Sequence, residues 1–206
     1  MNKLIRGIKS ICMWVGRLVF VNVLWTVGSL IGLLVLGLVP ATIGLFAVVR
    51  KWVLGERNIS ILNIFWREYR TNFRKTSLLG IPMIFIGYIL LAEINIFWHQ
   101  GTPLYYALSF LVITTFIVYA FTVIYFFPLY VHYDFTLLQY FKIAAIIGTI
   151  NPLRTIGLLL LIVFFYIVFL FTPLTFTFLG TSILALIIMH LVYQKFPKIN
   201  YGEAVK

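Results

Sequence analysis

The stretch 18–49, LVFVNVLWTVGSLIGLLVLGLVPATIGLFAVV, holds no charged residue. A run like this is stable in hydrocarbon, because it has no polar face to show to water. About twenty apolar residues in a helix cross a bilayer core of about 30 Å. At about 32 residues the run is too long for one span and short for two spans with an ordinary turn. Pro40 divides it. Proline suits the first turn of a new helix and costs about 3 kcal/mol in the interior of an old one. The stretch therefore reads as a hairpin, with a span at 18–38, a break at Pro40, and a short apolar helix at 41–54. It is either two short spans or one span with a re-entrant partner. Non-helical backbone at membrane depth is tolerated only where protein covers it, which makes Pro40 the candidate structural break and 37–44 a buried element.

The rest of the chain has the same character. Of its 206 residues 63% are hydrophobic and 10% charged, against about 25% charged in a soluble domain. Outward from the hairpin, uncharged runs predict spans at about 77–97, 105–131, 156–172 and 177–193, with a short helix at about 135–149. The turn near 99–103 holds His99, Gln100, Gly101 and Pro103, and Pro173 and Gly180 mark the turn between the last two spans. The fold class that follows is all-α: a polytopic membrane helical bundle of five to six transmembrane or re-entrant helices, formed as a single integral membrane domain over 1–206.

Two basic amphipathic segments flank the hairpin. In 3–17, KLIRGIKSICMWVGR, the residues Leu4, Ile8, Ile11, Cys12 and Val15 share one helical face, with Lys3, Arg6, Lys9 and Arg17 opposite. In 58–75, NISILNIFWREYRTNFRK, the residues Ile61, Leu62, Phe65, Trp66, Tyr69 and Phe73 form the apolar arc, with Arg67, Arg70 and Arg74 across from it. Helices of this pattern lie in the membrane interface. The segment 3–17 is expected to run into the first span as mature sequence, since no small-residue cleavage site precedes it.

Lysine and arginine in short loops set orientation. Segment 50–75 carries seven of the 16 basic residues, and the turns near 99–103 and 173–176 carry none. This predicts a plasma-membrane protein with 50–75, 132–155 and the C-terminus in the cytoplasm. A hairpin at 18–49 puts the basic N-terminus there too; the rival is five spans with the N-terminus outside. The net charge of +11 then reads as positive-inside bias with attraction to anionic membrane lipids. Nucleic acid is not an expected partner, because no soluble domain is available to carry it.

Candidate sites are sparse. Arg50, Lys51, Trp52, Arg67, Arg70, Arg74 and Lys75 are candidates for partner or lipid contact. Glu93, the one carboxylate inside an expected span, and Asn22 are candidate intramembrane polar residues. His99, His132 and His190 lie far apart, no glycine-rich phosphate loop or H-E-x-x-H occurs, and no serine nucleophile elbow is present. Single Cys12 excludes an internal disulfide. No catalytic residue, metal site or cofactor is expected.

Pro40-Ala41-Thr42, Arg50-Lys51-Trp52 followed by Gly55-Glu56, and Phe65 with Asn72-Phe73 resemble the signature of the YesL family, bacterial membrane proteins classed as domain of unknown function 624. Asn151-Pro152-Leu153-Arg154-Thr155 also resembles the family pattern, and the likeness runs through nearly the whole chain. It implies a multi-span protein of mainly Gram-positive bacteria, often encoded beside carbohydrate-uptake ABC transporters. The leading expectation is an accessory or partner-binding membrane protein, not an enzyme, with ABC-transporter components as candidate partners. A small transporter or substrate-capture subunit is the alternative and an intramembrane enzyme the third reading. The sequence leaves the oligomeric state open.

Overall fold

The computed structural model describes residues 2–172 and 179–194, with side chains described at Gly7 and from Lys9 onward. The expected faces built on Lys3, Leu4, Arg6 and Ile8, the turn at Pro173, and Lys195 and Lys198 lie outside the described side chains or residues. Among the described residues there are seven helices and no strand: α1 (Asn2–Ile31), α2 (Val35–Val53), α3 (Ile61–Trp98), α4 (Pro103–His132), α5 (Leu137–Ile150), α6 (Pro152–Phe171) and α7 (Thr181–Tyr193). By length and composition α1 from Lys9, α2, α3, α4 and α6 are each able to cross a membrane, while α5 and α7 are shorter apolar helices. The bundle is all-α, and its large apolar residues are exposed along α1, α3, α4 and α6, as a lipid-facing surface requires.

The hairpin forms, but its break does not fall at Pro40. Helix α1 runs unbroken from the basic segment into the apolar one and stops at Ile31; α2 starts at Val35 with Pro40 inside it. The corner between them contains Leu33 and Leu34 at φ 55° and 61°, left-handed values that leucine rarely adopts. Two glycines force the corner here. A Cβ on Gly32 would lie 2.2 Å from Cα of Gly37, and one on Gly37 would lie 2.6 Å from the Ser29 carbonyl oxygen. The corner also satisfies its own backbone, with Leu33 N–H donating to Leu30 O, Leu34 N–H to Ser29 O, and Val35 N–H to Leu33 O.

Pro40 is tolerated because a neighbour supplies what it lacks. A residue with an N–H at position 40 would bond the Leu36 carbonyl, and proline cannot. Ser77 Oγ, from α3, donates to Leu36 O at 2.7 Å instead. Membrane helices accept proline where a nearby hydroxyl satisfies the freed carbonyl.

The second expected boundary is also absent. The amphipathic segment, from Ile61 on, and the span 77–97 are one continuous helix, α3, of 38 residues, and 58–60 lie outside it. At 1.5 Å per residue it is about 57 Å long, nearly twice a bilayer core. Charge changes abruptly at Lys75, but a change of solvent preference is no reason for a helix to end: Thr76 bonds back to Asn72 O inside the helix and nothing there breaks it.

Helix α2 is the centre of the bundle. Its Ala41, Val48 and Val49 are fully buried. Trp14 meets Trp52 edge-on at 5.6 Å, and Trp25 Nε1 donates to Thr42 Oγ1 at 3.1 Å, so α1 and α2 run antiparallel. Small residues let α3 approach: Phe65 fills a slot between Gly28 and Gly44, where an added Cβ would meet its ring at 3.3 and 3.0 Å. Close approach at small residues is how membrane helices associate, since lipid offers no hydrophobic gain. Helix α4 packs antiparallel to α3, with Phe97 against Tyr105 at one end and Tyr130 OH donating to Asn72 Oδ1 at the other. Helix α5 starts with a capping box at Thr136 and Gln139. Tyr140 donates to Tyr133 O at 2.6 Å and accepts from Phe135 N–H at 3.0 Å. Burial raises its phenol pKa above the ordinary value, so it stays a donor at any physiological pH.

Candidate functional site

The first half of α3 has two faces with different tasks. Phe65, Tyr69, Thr76, Ser77 and Gly80 are buried, and Tyr69 OH donates to Gly28 O at 2.8 Å. These contacts lock the helix against the α1–α2 hairpin. On the other side Arg67, Arg70, Arg74 and Lys75 are exposed. Arg70 lies over the Trp66 ring at 5.6 Å. Arg67 reaches Glu68 at 3.4 Å with its guanidinium largely in solvent, a pair that contributes little. Arg74 and Lys75 make no ion pair among the described residues.

The end of α2 presents its three candidates differently. Arg50 Nη1 donates to Val131 O at 2.6 Å. Val131 is in the last turn of α4, where carbonyls lack helical partners, so Arg50 closes that helix end while tying α2 to α4. Lys51 pairs with both Glu56 oxygens, at 2.8 and 3.1 Å. Trp52 is not available to a partner. It is buried against Trp14 and belongs to the core, because the α1–α2 hairpin turns that face inward.

Where α2, α3 and α4 converge they leave a cleft of about 600 Å³. Arg50, Lys51, Arg67 and Lys75 line it, facing Glu68 and Asp134, with Thr71, Asn72 and Tyr130 between them. Lys51 is balanced by Glu56, and the other three cations against two carboxylates leave the lining net positive. Asn72 organises it: its Nδ2 donates to Glu68 O at 3.1 Å and to Glu68 Oε2 at 3.2 Å, while its Oδ1 accepts from Tyr130 OH at 3.0 Å. Arginine and lysine around polar donors are suited to a phosphate or a carboxylate. The structure thus divides the basic set, since Arg70 and Arg74 do not line this cleft.

Two further hollows, mostly apolar, lie along the seam between α3 and α4. One, of about 270 Å³, is bounded by Leu79, Pro82, Met83, Ile86, Tyr119 and Phe141 among others; the next, of about 440 Å³, by Ile86, Leu90, Thr115 and Val118. Tyr119 OH donates to Met83 O between them.

The intramembrane polar candidates are not brought together. Asn22 is fully buried and accepts at Oδ1 from Thr181 Oγ1, joining α1 to α7. Glu93 is partly exposed near the far end of α3 and makes no ion pair among the described residues. Among those residues no three of His, Cys, Asp and Glu converge as a metal set would.

Sequence reasoning did not single out Thr71, Glu68, Asp134 or Tyr130. Tyr130 lies in a uniformly apolar helix and carries no local signal, and this part of α3 was marked by its cations and by the Asn72-Phe73 pair alone.

Comparison with known proteins finds relatives along nearly the whole chain. A family model described as "Protein of unknown function, DUF624" matches residues 18–94, from the apolar part of α1 through nearly all of α3. The chain is 31% identical to the uncharacterized protein YteU of Bacillus subtilis (strain 168) over 189 residues, covering 92% of this chain and 85% of YteU. It is 29% identical to the uncharacterized protein YesL of that organism over 203 residues, covering 96% of this chain and 93% of YesL. It is 30% identical to the uncharacterized protein YesV over 188 residues, with 91% and 90% covered. No solved structure matches the chain. With identity of this level running through nearly its full length, the chain belongs to the DUF624 family that includes YesL.

Proposed function

We propose that this protein is an accessory, partner-binding membrane protein associated with carbohydrate uptake, and that it docks a cytoplasmic or membrane partner through the basic surface of 50–75 together with 135–155. One observation carries the docking reading. Arg70 and Arg74 project from a helix whose opposite face is locked to α2, and no acid within the described residues pairs with either. Rigid, uncompensated cations at the border of a lipid-facing bundle attract an acidic partner and steer its approach. The link to carbohydrate uptake rests on the family resemblance alone, with ABC-transporter components as the candidate partners.

A substrate-capture role would need convergent polar groups near the bilayer midplane. Asn22 is occupied by Thr181, and Pro40 is packed beneath Ser77. Neither lines the cleft or the hollows along α3, which favours docking over capture.

The test is recovery of the tagged, full-length chain from native membranes. A stoichiometric permease or ATPase component, lost when Arg70→Glu and Arg74→Glu are combined, is the expected result. A clean preparation with a bound small molecule and no protein partner would overturn the docking reading.

A further inference from the structure

The basic cleft and the apolar hollows lie on the same face of one helix. Thr71, Lys75, Leu79, Pro82, Ile86 and Leu90 recur at three- and four-residue spacing, so they stack along a single stripe of α3. Thr71 and Lys75 line the cleft, and the other four line the hollows. The two kinds of surface are therefore arranged in series, cationic at one end and apolar at the other, along the seam that α3 shares with α4.

The dimensions fit one leaflet. Beyond Lys75, α3 has no charged residue until Glu93, so Lys75 marks the edge of the hydrocarbon. From Leu79 to Leu90 the apolar stripe rises about 17 Å, close to half of a bilayer core of about 30 Å. At the other end Arg67 and Lys75 face a polar wall made by Asn72, Tyr130 and Thr71. Glu68 also faces the cleft, but it is engaged by Asn72 and Arg67; Asp134 is the second carboxylate there. A hollow at headgroup depth with excess positive charge, leading into an apolar trough one leaflet long, complements an anionic head joined to an acyl chain.

We propose that the α3–α4 seam is a binding site for one phosphate-headed lipid, its phosphate held by Lys75 and Arg67 and its chain laid along Leu79–Leu90. This goes beyond general attraction of a basic surface to anionic membranes, because it names one seam and requires both ends of it. It adjoins the proposed docking surface but is separable from it, because Arg70 and Arg74, which carry the docking reading, lie outside the cleft.

Native mass spectrometry of the full-length protein in detergent tests the proposal, with phosphatidylglycerol, phosphatidylcholine and inorganic phosphate as probes. The expected result is retention of phosphatidylglycerol over phosphatidylcholine. That retention should fall about tenfold when Arg67→Gln and Lys75→Gln are combined. It should fall comparably in Ile86→Trp, which fills the trough without touching a charge. Arg70→Gln with Arg74→Gln removes the same charge from the same helix outside the cleft and should leave retention unchanged. Equal retention of the two lipids, or equal losses in the two charge pairs, would mean nonspecific attraction and overturn the site. Displacement of phosphatidylglycerol by inorganic phosphate, with no effect of Ile86→Trp, would assign the cleft to a soluble phosphate compound and overturn the lipid. Elution and helical circular dichroism matching the parent show that each variant folds. Partner recovery from membranes is a separate readout, so failure of docking and failure of the lipid site are told apart.

Discussion

Ser77 and Pro40 depend on each other, although 37 positions separate them in the chain. Ser77 Oγ bonds the carbonyl that Pro40 leaves open in α2, and the site is buried. Ser77→Ala should destabilise the protein by about 1 kcal/mol, the usual size of an interhelical hydrogen bond in a membrane protein. The diagnostic experiment is the double-mutant cycle. With Pro40→Ala, position 40 regains its N–H and the Leu36 carbonyl regains a helical partner, so Ser77→Ala should cost markedly less in that background. Additive losses in thermal unfolding would show that the bond does not compensate the proline. This pair also explains why the break was misread from sequence. Proline at 40 is a strong local stop signal, and the hydroxyl that neutralises it comes from another helix. The cleft was hidden for the same reason. Arg50 finds Val131, and Asn72 finds Tyr130, only after α4 folds back along α3. What was legible at this scale were the exposed cations, because a charged residue beside a long apolar run has few places to go.

At the scale of elements, the α1–α2 hairpin stops short. Its corner packs where Ser77 and Gly80 lie on α3, and α3 continues from Gly80 about 27 Å farther to Trp98. The corner is apolar throughout 30–38, and Leu33 is 80% exposed. By contrast, the α3–α4 turn contains His99, Gln100, Gly101 and Thr102, the polar chemistry of a turn that reaches water. An apolar tip whose backbone N–H groups bond within the hairpin is built for hydrocarbon. The expectation is a re-entrant hairpin whose tip stays inside the bilayer. A cysteine at Leu33, in a background where Cys12 is replaced by serine, should resist a membrane-impermeant thiol reagent from either side. A cysteine at Gln100 should react from one side. Ready labelling at position 33 from the side that reaches position 100 would mean that the hairpin spans. The long apolar runs of α4, α5 and α6 were readable from sequence because Gly101 and Pro103 open α4 and Asn151-Pro152 separates α5 from α6. The fusion of 58–75 with 77–97 was not, since the boundary between two solvents was mistaken for a boundary between two helices.

Taken whole, the molecule has a charge layout that fixes its orientation more firmly than any single residue does. Arg17 at the start of the hairpin, Arg50 and Lys51 at its close, and Arg67 to Lys75 on α3 lie toward one end of the bundle, which the Trp14–Trp52 contact and the Arg50–Val131 bond hold together. The α3–α4 turn, at the opposite end, has no lysine or arginine. Loops near membrane-spanning helices follow the positive-inside bias, so the basic end should face the cytoplasm. A re-entrant or fully returning hairpin would then leave the N-terminal end of α1 on that side, where the His132–Tyr193 contact also places the end of α7. Fluorescent-protein fusions at the C-terminus should fluoresce while phosphatase fusions there stay inactive, and a phosphatase inserted at Gln100 should be active. Neutralising Arg67, Arg70, Arg74 and Lys75 together should produce a mixed population of orientations, because those four residues are a quarter of the chain's 16 basic residues and adjoin its longest helix. If orientation survives that change intact, the cluster is not needed for topology. Its place on a rigid helix would then be left to the proposed lipid and partner contacts.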